Sequence, residues 1–327
     1  PAPASRWRPT AIRPTLRAAG IRFPAMRVTF CPDYVVELPE NHPFPMRKFS
    51  AFHRILLDEG LIREKDIIEP KPAAWDDLRL AHSEEYLRRI ATGDLDRHQQ
   101  RRMGLPWSKT LVRRSRLAVN GTYNAARMAL EDGIAANLAG GTHHAMPGHG
   151  EGFCVLNDVA VAIKMLQRDN GASGISRALI IDLDVHQGNG NAVAFADDDD
   201  VYTFSMHGEK NFPLKKPPST RDVPLPDHMG DTDYLSVLAD HLSGVIDDAR
   251  PDLALYLAGV DPVIGDRYGR LCLTRDGLRQ RDRMVLEQLI RRGVPTVLLM
   301  SGGYAKTPEL TADLHATVHR ELNHLRR

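Results

Sequence analysis

The chain has 327 residues, with 43 Lys+Arg, 42 Asp+Glu and a formal net charge of +1. Its 42% hydrophobic and 26% charged content is ordinary for a globular protein and excludes a disordered, collagenous or disulfide-stapled chain. No apolar run reaches the roughly 18 residues that a membrane-spanning helix needs, so no membrane association is expected. The three cysteines, Cys31, Cys154 and Cys272, are far apart and form no CxxC pair. They support neither a disulfide framework nor a cysteine-rich zinc site, and fit a reduced cytoplasmic thiol state.

The near-neutral charge conceals a basic arm. Residues 1–25 hold Arg6, Arg8, Arg13, Arg17 and Arg22 and no acid. Removing these five from the 43 basic residues leaves 38 against 42 acidic ones in residues 26–327. That mildly acidic body gives no electrostatic case for nucleic-acid binding. The arm reads as a poorly ordered extension ahead of a start at Met26, because prolines at 1, 3, 9, 14 and 24 spoil an amphipathic helix. A cleavable organellar transit segment is the alternative. Arginine far exceeds lysine, as in GC-rich genomes, so the bacterial cytoplasm is the expected location and an organelle the alternative.

From Met26 onward the pattern is that of one domain. Residues 27–30 read as a first strand, followed by a Pro-rich loop to Pro45. Helices are expected at 47–59, ending at Gly60, then near 83–92, 110–132 and 157–167, the last with Gly171 beyond its end. The second half alternates. Apolar strand-like runs at 178–185, 201–206, 253–258 and 296–300 are separated by helices near 191–196, 231–248 and 275–292. A final helix follows Ser301–Gly303. Near-continuous apolar strands alternating with helices predict an α/β fold: one open, mostly parallel sheet with helices on both faces.

Ligands of such folds bind beyond the carboxyl ends of the strands. The residues there are Asp184, His186 and Asn189 after the first run, Ser205 and His207 in the second, Asp261 after the third and Tyr304 after the fourth. In an extended strand, Asp182, Asp184 and His186 would share one face. Burying two carboxylates there calls for a cation. With Asp261 they form a one-histidine, two-carboxylate set suited to a catalytic Zn²⁺, or to Fe²⁺ or Mn²⁺. His143 and His144 follow a glycine pair; as ligands, acid–base groups or surface residues they remain open, though an imidazole beside an activated water suits proton transfer. Tyr304 could donate to an oxyanion, with the preceding glycines allowing its loop to move.

Together these segments resemble the histone deacetylase superfamily, with its arginase-type fold, across essentially 26–327. The matching stretches are 140–153, 178–194, 202–213, 253–274 and 301–305. His186-Gln187-Gly188-Asn189-Gly190 is similar to the class IV branch, where other branches carry His and Asp in place of Gln187 and Asn189. The resemblance implies one Zn²⁺ on Asp184, His186 and Asp261. It implies His143 and His144 as the tandem active-site histidines, with His144 as general base and then acid, and with Asp182 and Asn189 orienting the pair. It implies Tyr304 as polariser of the amide oxygen. Gly152, Phe153 and Phe212 would line the acyl-lysine channel, and Glu84 would grip substrate at the rim. A structural monovalent cation, K⁺, would use Asp182 and Ser205.

The activity so implied is removal of acetyl or longer acyl groups from lysine side chains of a protein or peptide. A small acylated amine, such as an acetylpolyamine, is the second substrate class. The short connections at 189–202 and 206–224 lack the inserted loop that narrows the channel of polyamine enzymes. A non-catalytic acyl-lysine-binding module is a third reading, opposed by the retention of every ligand, both histidines and the tyrosine.

Overall fold

The computed structural model describes residues 25–169 and 174–326. The basic arm, apart from Ala25, and Gly171 lie outside the described residues. The four apolar runs of the second half become the centre of the sheet. They form β4 (Ala178–Asp182), β5 (Val201–Gly208), β7 (Leu253–Leu257) and β8 (Thr296–Leu299). The flanking strands are β1 (Val28–Thr29), β2 (Ile67–Ile68), β3 (Ile134–Asn137) and β6 (Arg221–Leu225). The sheet order is β2-β1-β3-β8-β7-β4-β5-β6, and every pair is parallel.

Helices α1 (Lys48–Asp58), α2 (Trp75–Leu78), α3 (Glu84–Thr92), α4 (Arg97–Met103) and α5 (Lys109–Asp132) occupy the first half. Helices α6 (Asp158–Arg168), α7 (Asn189–Ala194), α8 (Asp231–Ala249), α9 (Arg275–Arg291) and α10 (Pro308–Arg326) occupy the second. Side-chain caps set several starts: Ser83 accepts from the Tyr86 amide, Asn157 from Ala160 and Thr274 from Gly277.

The strands are apolar throughout because both faces are covered, and their side chains alternate between two cores. Leu179, Ile181, Tyr256 and Leu298 pack on one face with Phe52 of α1, Leu238 and Leu242 of α8, Leu286 of α9 and Ala316 of α10. Ile180, Leu255, Val297 and Leu299 pack on the other with Ala125 and Ala129 of α5 and Val159 and Ile163 of α6.

Register decides where the site forms. Asp182 pairs with Leu257 and with Ser205, while Leu299 pairs with Leu257 and with Asn137. The carboxyl ends of β3, β8, β7 and β4 are therefore level, and four loops leave from one line.

The structure corrects the expected strand 178–185. The regular strand ends at Asp182, whose Oδ1 accepts the Asp184 amide at 3.2 Å and turns the chain. β1 falls inside the expected strand 27–30. Strands absent from the sequence reading are short or atypical: β2 has two residues, β3 is Ile-Ala-Ala-Asn, and β6 contains Pro224, which only an edge position tolerates.

Several histidines are buried in neutral form. Among the described residues, neither ring nitrogen of His319 on α10 has a hydrogen-bond partner, and burial lowers its pKa from 6.5 to about 3. The unfolded chain therefore binds a proton below about pH 6.5 that the folded chain refuses, and stability falls as pH falls. His319→Phe should lose less stability than the parent between pH 7.5 and 5, by ~2 kcal/mol. Urea midpoints at the two pH values measure the difference; equal losses would contradict it.

Candidate active site

Two loops carry the central cluster. Asp184 and His186 follow β4, and Asp261 follows β7. All three are buried, and one ligand atom from each lies within 4.8 Å of the other two. His186 Nδ1 stands 3.0 Å from Asp184 Oδ1 and 3.2 Å from Asp261 Oδ2. The remaining capacity of the carboxylates is directed by the backbone. Asp261 Oδ1 accepts the Val185 amide at 2.9 Å, and Asp184 Oδ1 accepts that of His186 at 2.9 Å. Asp184 Oδ2 accepts the Gly302 amide at 2.6 Å and the Ser301 hydroxyl at 2.8 Å.

Among the described residues, the buried Asp261 Oδ2 has no well-formed hydrogen bond, with His186 Nδ1 standing 3.2 Å away. Burial and the Asp184 charge push the Asp261 carboxyl up to about 7. Such an arrangement fits a divalent cation: an imidazole nitrogen and two carboxylate oxygens converge, and one oxygen has no other partner. Glycines make the convergence possible. A Cβ on Gly302 would collide with Asp261 Oδ2 and Asp184 Oδ2, and one on Gly259 would meet Asp184. From below, the fully buried Arg281 donates to the carbonyls of Leu183 (3.2 Å) and Gly259 (2.7 Å), fixing the two strand ends.

The tandem histidines ride on the loop after β3. That loop is anchored by Asp158 at the start of α6, which accepts the amides of Gly141 and Thr142. His143 and His144 lie with ring centroids 4.0 Å apart, yet their partners differ. His143 Nδ1 is 2.7 Å from Asp182 Oδ2, and His144 Nδ1 is 2.6 Å from Asn189 Oδ1. Burial opposes charge on both rings. At His143 the carboxylates of Asp182 and Asp184 overcome it and raise the pKa to about 9. At His144 burial is reinforced by His143 and His186, and Asn189 contributes no charge, so its pKa falls well below 6.5.

Tyr304 closes the cluster from the loop after β8. Its phenol is held well above 10 by burial and by the charges of Asp184 and Asp261, so it stays a proton donor. Tyr304, the histidine pair, Asp184, His186, Gly152 and Phe153 line one cavity of about 430 Å³, including its open mouth. The Phe153 ring lies tilted against Tyr304, with centroids 5.7 Å apart. Phe212 meets His144 edge-on at 5.0 Å and is 38% exposed.

Two further expected residues have protein partners of their own. Glu84 is exposed at the start of α3, ion-paired with Arg79, and does not line the cavity. Ser205 stands beside Asp182 in register, but its hydroxyl lies 2.9 Å from His207 Nδ1. Asp182, read from strand alternation as sharing a face with Asp184 and His186, instead serves His143.

The sequence reading also missed Lys48, Arg114 and Phe44, which line the same cavity. Lys48 Nζ donates to the carbonyls of Ser301 (3.3 Å) and Gly303 (3.4 Å), and burial lowers its pKa to about 8. A signal was present: Lys48 lies four residues before Phe52 and eight before Leu56, on the apolar face of α1.

A parallel α/β sheet with this carboxylate–imidazole cluster at its carboxyl edge defines a hydrolase fold built around a candidate metal centre. The histone deacetylase domain matches residues 42–320, and the chain belongs to that family. It is 46% identical over 295 residues to an uncharacterized protein of Picosynechococcus sp., covering 90% of this chain and 97% of that one. It is 34% identical to histone deacetylase 2 of Arabidopsis thaliana, covering 81% and 70%. The crystal structure of an HDAC homolog from Aquifex aeolicus superposes with a TM-score of 0.76 at 27% identity, covering 92% and 84%. The chain is a deacetylase-class hydrolase.

The crowding around Gly302 gives a test that does not depend on turnover. Gly302→Ala should weaken divalent-metal binding at least about tenfold, because its methyl displaces Asp184 and Asp261. Chelator competition with the purified protein, with circular dichroism to verify folding, measures this. Unchanged affinity would remove the proposed cradle.

Proposed function

We propose that this chain hydrolyses acyl-lysine amides with one Zn²⁺ held by Asp184, His186 and Asp261. The supporting observation is the convergence of three chemistries on one cavity: a cation-seeking ligand set, two imidazoles of opposite basicity and a protonated phenol. When bound, Zn²⁺ lowers the pKa of water and polarises a carbonyl.

The chain's own groups do the rest. His144 Nε2 is free to take a proton, since Nδ1 faces Asn189, and at neutral pH its lowered pKa keeps it unprotonated. It removes the proton of the attacking water and later returns it to the leaving lysine nitrogen. His143, charged by Asp182, holds positive potential beside the negative transition state. Tyr304 donates its phenolic hydrogen to the oxyanion. Gly152, Phe153 and Phe212 flank the lysine stem, and we leave Glu84 outside the reacting cavity. Asp182 and Ser205 are the side chains we assign to a structural K⁺. Residues 26–327 form the catalytic domain in this reading, with the arm as an extension. No helix among the described residues is long and apolar enough to cross a membrane, and we assign the protein to the bacterial cytoplasm.

The test is a kinetic panel of acetyl-lysine peptide, myristoyl-lysine peptide and acetylpolyamine, with and without chelator, on the parent and Tyr304→Phe. Turnover of a lysine substrate should require metal, and Tyr304→Phe should lower kcat by about 10²–10³ with metal retained. Chelator-insensitive turnover, or preference for the polyamine, would overturn the reading.

Asn189 supplies a second prediction. A carboxylate in its place would stabilise the His144 imidazolium. The acidic limb of the pH profile of kcat/KM reports the base of the free enzyme. In Asn189→Asp that limb should move to higher pH. An unmoved limb would separate His144 from the rate-determining protonation.

A further inference from the structure

Tyr304 belongs to neither strand nor helix. It leaves β8 through Ser301, Gly302 and Gly303, and α10 begins only at Pro308. What fixes its backbone is a different loop, residues 262–270 after β7. Asp266 Oδ2 accepts the Tyr304 amide at 2.6 Å. The Arg267 amide in turn donates to the Tyr304 carbonyl at 3.1 Å. The Tyr304 peptide is thus held on both sides by two consecutive residues of one neighbour.

The Asp266 carboxylate also organises its own turn. Its Oδ1 accepts the amides of Tyr268 (2.9 Å) and Gly269 (3.0 Å). This fold-back presents the Tyr268 ring edge-on to Tyr304, with centroids 5.0 Å apart. The loop is further tied to the channel wall. Asn211, next to Phe212, is buried, and its Nδ2 donates to the Tyr268 carbonyl at 2.7 Å. Three backbone donors converge on one half-buried carboxylate, and the geometric product is the placement of one aromatic side chain.

We propose that Asp266 is a positioning residue for the reaction, holding the Tyr304 phenol at the place where negative charge develops. The proposal rests on the oxyanion role given to Tyr304 above. A displacement of the order of 1 Å at a catalytic group costs about 10²-fold. Loss of the carboxylate should therefore act on the chemical step and leave ground-state binding in place. Asp266 is not itself placed in contact with substrate or metal.

The experiment is a double-mutant cycle on the metal-loaded full chain. It compares parent, Asp266→Ala, Tyr304→Phe and the double variant for kcat, KM and bound metal. Asp266→Asn accompanies them, since it keeps one acceptor and the side-chain shape if the alanine variant fails to fold. Asp266→Ala should lower kcat by about 10²-fold, with KM changed less than about threefold and metal stoichiometry intact. In the Tyr304→Phe background the same substitution should have almost no further effect, because it acts through the phenol. Equal kcat losses in both backgrounds, or full activity of Asp266→Ala beside a crippled Tyr304→Phe, would overturn the positioning role. Full activity of Tyr304→Phe would instead overturn the oxyanion reading, and the two failures are distinguishable.

Discussion

Three carboxylates, Asp182, Asp184 and Asp261, are buried within the level carboxyl ends of β4 and β7, and much of the surrounding chain answers that constraint. Unpaired, each would carry a desolvation cost of several kcal/mol. Asp182 is paired with the raised imidazole of His143. Asp184 receives two backbone amides and a hydroxyl. Asp261 has one oxygen that, among the described residues, only His186 Nδ1 approaches, and its pKa rises. Both oxygens of the first two accept well-formed hydrogen bonds, and only one of the third does. That asymmetry fits a divalent cation on Asp184, His186 and Asp261.

The same charge distribution separates two chemically identical histidines. Adjacent in sequence and with ring centroids 4.0 Å apart, His143 and His144 have pKa values displaced in opposite directions. Their difference comes from what touches Nδ1: a carboxylate in one case, a neutral amide in the other. Two imidazoles with separated pKa values can hold a charge and accept a proton at one pH, which identical environments would prevent.

The core of the fold was legible because both faces of its strands are covered. Continuous apolar runs at 178–185, 253–258 and 296–300 signal such strands without ambiguity, and the parallel sheet follows from the intervening helices. The two-residue strand β2 leaves no periodicity to detect, and β6 hides behind Pro224. The candidate ligands were legible for a related reason: polar residues that end apolar strands stand out. Asp266, Arg281 and Lys48 were not read. Asp266 lies in an irregular loop where an aspartate is the ordinary turn residue. Arg281 and Lys48 sit on amphipathic helices, and a single charge on an apolar face is easily taken for a side chain that reaches solvent. Their roles depend on carbonyls contributed by distant loops, which no local pattern encodes.

The glycines before Tyr304 illustrate how one residue type supports two physical readings. As a sequence, Ser-Gly-Gly-Tyr suggests a loop free to move. In the fold, Gly302 has its amide on Asp184, and the space for its Cβ is filled by two carboxylates. Gly303 has its carbonyl on Lys48, and a Cβ there would meet Val260 and His315. Neither glycine is required for flexibility. Gly302 is required because the backbone itself must approach the ligand oxygens, and Gly303 because packed side chains surround it. Ser301, which adopts a positive φ of 58°, is held there by hydrogen bonds to Asp184 and Gly141. The segment that delivers the phenol is therefore clamped at three consecutive residues before Asp266 takes hold of the fourth. Small residues serve here to bring rigid parts close together, and the catalytic geometry follows from that closeness.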